Sequence, residues 1–169
     1  VLKAYKQNIS ALQFASNAIV SNPDFIYEAV LFNPLAMKFA DEKLKADASF
    51  VFPLIRLKGA ALEHTSLRSE VNFMLNAIKL NACHLQFATD DLKSNRDFIL
   101  SVVKLRGGAL EYASDHLKDD PEIVLNAVSQ DGCALGSASE TLKKDRKIVA
   151  AAFIQNKLAL QYVSPELQK

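Results

Sequence analysis

The chain has 169 residues, half of them apolar and 23% charged, with twenty Lys and Arg against nineteen Asp and Glu. That is enough to bury a core as one domain or one continuous array, and a net charge of +1 leaves no chain-wide field to draw it onto nucleic acid or anionic lipid. No apolar run approaches the roughly 18 residues a membrane-crossing helix requires, so no transmembrane segment is expected.

Read from its first residue, the chain repeats. Units start at Val1, Ile26, Val51, Met74, Ile99, Val124 and Val149, each of 25 residues except the third, with 23, and the last, with 21. One column reads Leu12, Met37, Leu62, Leu85, Leu110, Leu135, Leu160, and three residues later another reads Ala15, Ala40, Thr65, Ala88, Ala113, Ala138, Val163. Between them runs an aromatic column: Phe14, Phe39, His64, Phe87, Tyr112, Ser137, Tyr162. Self-similarity at a fixed period of this size is the signature of a solenoid, here expected as a single array over residues 1–169. The chain opens inside a repeat and at Val rather than Met, so it is expected to be a piece of a longer protein.

Each unit predicts two helices. Asp120 is a good N-cap, Pro121 suits the first helical position, and Ile123, Val124, Ala127 and Val128 share one face, which makes helix A. Asn22, Asp47, Asn95 and Asp145 hold the same cap position elsewhere, and Pro23 repeats the proline. Helix A is expected to end at a residue suited to the left-handed conformation: Gly59, Asn81, Gly107 or Gly132. Helix B follows, with Leu110, Ala113 and Leu117 spaced by three and four. The column Ser16, Asp41, Ser66, Thr89, Ser114, Ser139, Ser164 holds only capping residues, so helix B should break there and add one more helical turn. Ser164-Pro165-Glu166-Leu167 spells out such a start. No unit alternates apolar and polar residues as a half-buried strand must, which rejects a leucine-rich repeat. The fold class is therefore all-α, an α-solenoid-like array of about seven 25-residue repeats, each a pair of short helices. Each unit buries its apolar face by stacking on the next, so the first and last should fray.

The phrases A-L-E-Y-A-S-D-H-L-K-D-D-P-E-I-V-L-N-A-V and A-L-Q-Y-V-S-P-E-L-Q resemble the repeats of the family known as domain of unknown function forty-one sixteen. The resemblance runs almost end to end. Such repeats occur in protists and in large proteins of intracellular, amoeba-associated bacteria, where some carriers resemble secreted effectors. The family has no established activity, so the resemblance transfers no catalytic residue and implies a helical interaction scaffold.

The array is irregular in its third unit, which lacks two residues between Ser66 and Leu67 and carries Pro53 inside helix A, where proline removes a hydrogen bond and kinks the chain. A bend is expected there, read either as tolerated drift or as a hinge or groove. Nearby, His64 occupies the aromatic column and His84 a column otherwise alanine. Mutual repacking accounts for such a compensated exchange. The alternative groups His64, His84, Cys83 and Glu63 as a metal or acid/base site, without any metal-ligand spacing to support it. His116 reads as a solvated turn residue. Cys83 and Cys133 stand two units apart in one column, beyond disulfide reach, and two free thiols suit a reducing, cytosolic compartment.

Two cationic columns recur: Arg56, Lys79, Lys104 and Lys45, Arg68, Lys93, Lys118, Lys143. Interspersed acids blunt their field and no aromatic residues interleave to stack bases, which disfavours nucleic acid or phosphoinositide. The residues expected to meet a protein partner are Arg56, Lys79, Lys104, His64 and His84. No cofactor, metal or catalytic residue is expected, and the chain is expected to be a monomer acting as a non-catalytic interaction scaffold, within an effector delivered to a host cell. Against that stand two other readings: a recognition or spacer module of a larger enzyme, and a small enzyme around His64 and His84.

Overall fold

The computed structural model describes residues 4–164, among which there is no β-strand. A three-part phrase recurs along the backbone. Its first part is an α-helix of ten residues, at Pro23–Phe32, Ala48–Leu57, Val71–Leu80, Arg96–Leu105, Pro121–Gln130 and Arg146–Gln155. Its second is a 3₁₀ helix of six residues, seen at Ile9–Phe14, Pro34–Phe39, Gly59–His64, Ala82–Phe87, Gly107–Tyr112, Gly132–Ser137 and Lys157–Tyr162. Its third is a single short turn, such as Glu42–Ala46, Asp90–Lys93 or Asp115–Lys118.

Helix A forms as predicted. Asn22, Asp47, Asn95, Asp120 and Asp145 each accept a hydrogen bond from a backbone N–H of the first turn, and Pro23 and Pro121 stand in that turn. Each cap satisfies a donor that no intrahelical carbonyl reaches, worth about 1 kcal/mol. Helix B, by contrast, is 3₁₀ rather than α. Gly107, Leu110 and Ala113 are all buried and three apart, the period of a 3₁₀ turn, at which successive turns eclipse. Ala113 then extends the backbone (φ −72°, ψ 158°), and the next turn starts at Asp115. The predicted break is therefore real. Its purpose goes beyond capping, because the backbone N–H freed there donates to the preceding repeat: Asp41 to the Val20 carbonyl at 3.0 Å, Ser114 to Lys93 at 3.1 Å, Ser139 to Lys118 at 3.0 Å and Ser164 to Lys143 at 3.4 Å. The helix start expected at Pro165–Leu167 and the first unit boundary at Val1 lie outside the described residues.

The left-handed helix ends do not occur, since no described residue has positive φ. Asn81 is extended at φ −153° and accepts from the Cys83 N–H, capping the 3₁₀ helix that follows. Asn8, Asn33, Asp131 and Asn156 repeat that cap. Gly107 and Gly132 open their 3₁₀ helices for a different reason, close approach to the next repeat. A Cβ on Gly107 would sit inside van der Waals contact of the Ala127 carbonyl oxygen, and one on Gly132 would meet that of Ala152. The two glycine N–H groups donate to Gln130 Oε1 and Gln155 Oε1, each at 2.5 Å.

Pro53 does not interrupt its helix, which runs through it to the common ten-residue length. Both Pro53 and Ser49 face solvent, so the Ser49 carbonyl deprived of its donor meets water. The two missing residues replace the usual α turn by a 3₁₀ turn, Ser66–Ser69, which still buries Leu67.

Two compact lobes result, dividing between Leu80 and Asn81. The N-terminal lobe packs Ile26, Val30, Met37, Leu54, Leu62 and Met74, with edge-to-face aromatic pairs Tyr5–Phe25 at 5.3 Å and Phe52–Phe73 at 6.1 Å. The C-terminal lobe packs Leu85, Ile99, Val103, Leu110, Val124, Val128 and Leu135, all fully buried. Side chains of this size stabilise by roughly 1.5–3 kcal/mol each. In the last repeat the columns of Val128 and Leu135 continue as Phe153 and Leu160, which are 39% and 47% exposed and line an open apolar hollow with Val149 and Ala150. Among the described residues no helix is long and apolar enough to cross a membrane.

Candidate functional site

The two cationic columns separate in the structure. In the column of Lys45, Lys93, Lys118 and Lys143, each lysine pairs with an acid three residues earlier: Glu42 at 2.8 Å, Asp90 at 3.8 Å, Asp115 at 3.3 Å and Glu140 at 2.8 Å. Arg68 of that column instead donates to the Glu63 carbonyl oxygen at 3.0 Å. These charges are matched within their own turn.

Two members of the other column differ. Arg56 and Lys79 in the N-terminal lobe, and Lys104 in the C-terminal lobe, are each the penultimate residue of helix A and each exposed. Lys79 Nζ lies 3.3 Å from Asn76 Oδ1, whereas Arg56 and Lys104 form no ion pair among the described residues. Cations at a helix C-terminus complement its dipole, so these positions are favourable in the fold and still present charge to solvent.

The histidines take different environments. His64 ends the Gly59–His64 helix half-buried in the aromatic column. Burial pushes its pKa below the ordinary value, the Glu63 carboxylate opposes this, and Lys38, Lys45 and Arg68 add to the depression. His84 belongs to the other lobe and is buried, at 5% exposure, within Ala82–Phe87. Among the described residues no group of three or more His, Cys, Asp or Glu is placed to hold a metal ion. Both cysteines are free thiols.

One feature of the C-terminal lobe escaped the reading of the sequence. A groove of about 320 Å³ opens over three successive 3₁₀ helices, lined by Gly108 and Glu111, by Asp131, Cys133, Ala134, Gly136 and Ser137, and by Tyr162. The columns explain the gap. Cys133 and Tyr162 line it together, and one repeat pair earlier Cys83 lies within electrostatic reach of Tyr112. Between those two pairs the corresponding positions are Gly108 and Ser137, so both sides lose volume at the same place. Gly136 lets the Tyr162 ring lie close, with ring atoms 3.0 Å from where its Cβ would stand.

Two carboxylates and no basic side chain line this groove. Asp131 uses Oδ1 to accept the Cys133 N–H at 3.0 Å, while Oδ2 lies over Gly108, 3.3 Å from a Cβ position that glycine leaves vacant. Neither Asp131 nor Glu111 forms an ion pair among the described residues. Burial, then the Glu111 charge, then Cys83 push the Tyr112 phenol pKa up. The signal was present in the sequence as two coincident small residues, Gly108 and Ser137, in columns read one at a time.

The family model described as Domain of unknown function (DUF4116) matches three times, over residues 22–68, 71–118 and 120–168. Each match spans close to two of the 25-residue units; two start at the helix A cap, Asn22 or Asp120, and the third at the first residue of helix A, Val71. No curated protein and no solved structure matches the chain. With the three matches covering most of its length in tandem, the chain belongs to the DUF4116 family.

Proposed function

We propose that this chain is a non-catalytic scaffold that binds a protein partner through the exposed cations at the ends of helix A. The observation that carries the reading is the contrast between the two charged columns. Lys45, Lys93, Lys118 and Lys143 are neutralised by acids on their own turns, while Arg56 and Lys104 at the other column are left uncompensated. Exposed charges arranged this way govern encounter rate and partner choice more than total affinity. Within each lobe the helices that carry these cations stand on a packed apolar core, as stacked repeat units do. Two free thiols suit a reducing compartment, consistent with action in a cytosol, including that of a host cell into which an effector is delivered.

The experiment is affinity capture from eukaryotic lysate by the wild type and by a variant carrying Arg56→Glu, Lys79→Glu and Lys104→Glu, each at low and high salt. A partner held by the wild type, released by salt and lost by the variant supports the reading. Equal recovery by both proteins contradicts it.

A further inference from the structure

We infer that the groove over the 3₁₀ helices of the C-terminal lobe is a receptor for a single arginine side chain presented by the partner. This rests on the scaffold reading above and adds to it a second contact of opposite charge on a different element.

Shape argues first. At about 320 Å³ the groove stands at the small end of the range that binds ligands, the scale of one long side chain rather than a cofactor. It arises because Gly108 and Ser137 leave out volume that neighbouring repeats fill with Cys and Tyr. The two 3₁₀ helices beneath it are tied to the following repeats by the Gly107 and Gly132 N–H groups, which donate to Gln130 Oε1 and Gln155 Oε1. A site held open in this way avoids an ordering cost on binding.

Charge and surface chemistry then choose the occupant. Glu111 and Asp131 bring two carboxylates, and Asp131 keeps Oδ2 over Gly108 after Oδ1 has been used by the cap. Tyr162 forms a wall beside them, its ring lying against Gly136. A guanidinium is planar, carries five donors in a fork and stacks on aromatic faces, so it answers both the carboxylates and the ring. Lysine answers only the charge.

The repeat columns provide variants that the fold already accommodates. Asp131→Asn places the residue found at Asn8, Asn33, Asn81 and Asn156, each of which makes the same cap. Glu111→Gln places the residue found at Gln13, Gln86 and Gln161. Ser137→Tyr restores the aromatic of Tyr112 and Tyr162 and fills the groove.

The test is titration of the ¹⁵N-labelled full chain with N-acetyl-arginine-N-methylamide, its lysine analogue and its glutamate analogue, following the amide resonances of Gly108, Glu111, Cys133, Gly136 and Tyr162. Saturable shifts at these amides with the arginine probe are expected, weaker ones with lysine and none with glutamate. The double variant E111Q/D131N and the single variant S137Y should each bind the arginine probe about tenfold more weakly or not at all, the effect of losing charged hydrogen bonds. Their spectra elsewhere should match the wild type, showing that the fold is kept. Absence of shifts at these amides, equal shifts with the glutamate probe, or undiminished binding by both variants would overturn the assignment. The scaffold reading is judged separately: E111Q/D131N that still captures the wild-type partner set with unchanged affinity removes the groove and leaves the helix A contact standing.

Discussion

The carbonyl oxygen of Ala127 stands where a Cβ on Gly107 would have to go, and that of Ala152 stands in the same relation to Gly132 one unit later. Both glycines have ordinary negative φ, so their role is proximity and not backbone freedom. Gly107→Ala and Gly132→Ala should each destabilise the chain by roughly 1–3 kcal/mol, the cost of forcing a methyl group into a packed contact. Urea unfolding followed by circular dichroism measures this. A loss below about 0.5 kcal/mol, the scale of an ordinary surface substitution, would mean that the successive repeats separate easily.

His64 is half-buried in a column otherwise mostly aromatic, with its pKa held below the ordinary histidine value by burial. The unfolded chain therefore binds a proton more readily than the folded one, and stability falls as pH drops below the ordinary value of about 6.5. His64→Phe should remove that part of the acid sensitivity and raise stability by roughly 0.5–2 kcal/mol, as restoring a repeat consensus does. Thermal unfolding at pH 7.5 and pH 5.5 gives the comparison. An equal slope with pH in both proteins would assign the sensitivity to another group.

Arg96 joins consecutive repeats by donating from Nε to Asp120 Oδ2 at 2.8 Å and from Nη2 to Glu122 Oε2 at 2.5 Å. Burial raises the Asp120 pKa, but the Arg96 hydrogen bond together with the Ile123 and Glu122 N–H groups outweighs it and holds the carboxyl below its ordinary 3.8. The stabilisation is present above that value and is lost as pH falls through the depressed one. Asp120→Asn keeps the cap, as Asn22 and Asn95 do, and should lose less stability than the wild type between pH 5 and 2. At neutral pH the pairing of Arg96 with Asp120 and Glu122 should contribute little and weaken with salt.

Much of this architecture was legible in the columns. Asp120 with Pro121 announced helix A, and the run of capping residues at Ser114 and its counterparts announced the break after helix B. The spacing of three from Leu110 to Ala113 already carried the 3₁₀ period, but the same spacing also fits one face of an α-helix. Gly107 misled because glycine after a helix serves either a left-handed turn or a close neighbour, and only the placement of Ala127 distinguishes them. The groove was hidden for a related reason. Gly108 and Ser137 are each unremarked alone, and their shared gap depends on 3₁₀ helices of successive repeats lying side by side. Charge matching was similarly out of view, since Lys104 and Lys118 look alike until Asp115 is found beside the second.

In the proposed scaffold, the exposed cations ending helix A hold a protein partner. The most direct test is calorimetric titration of the captured partner, purified, into the wild type and into R56E/K79E/K104E at two salt concentrations. The dissociation constant should rise with salt for the wild type and rise at least about tenfold in the variant, the loss expected of a few charged contacts. Identical affinity in both proteins, unmoved by salt, would contradict it.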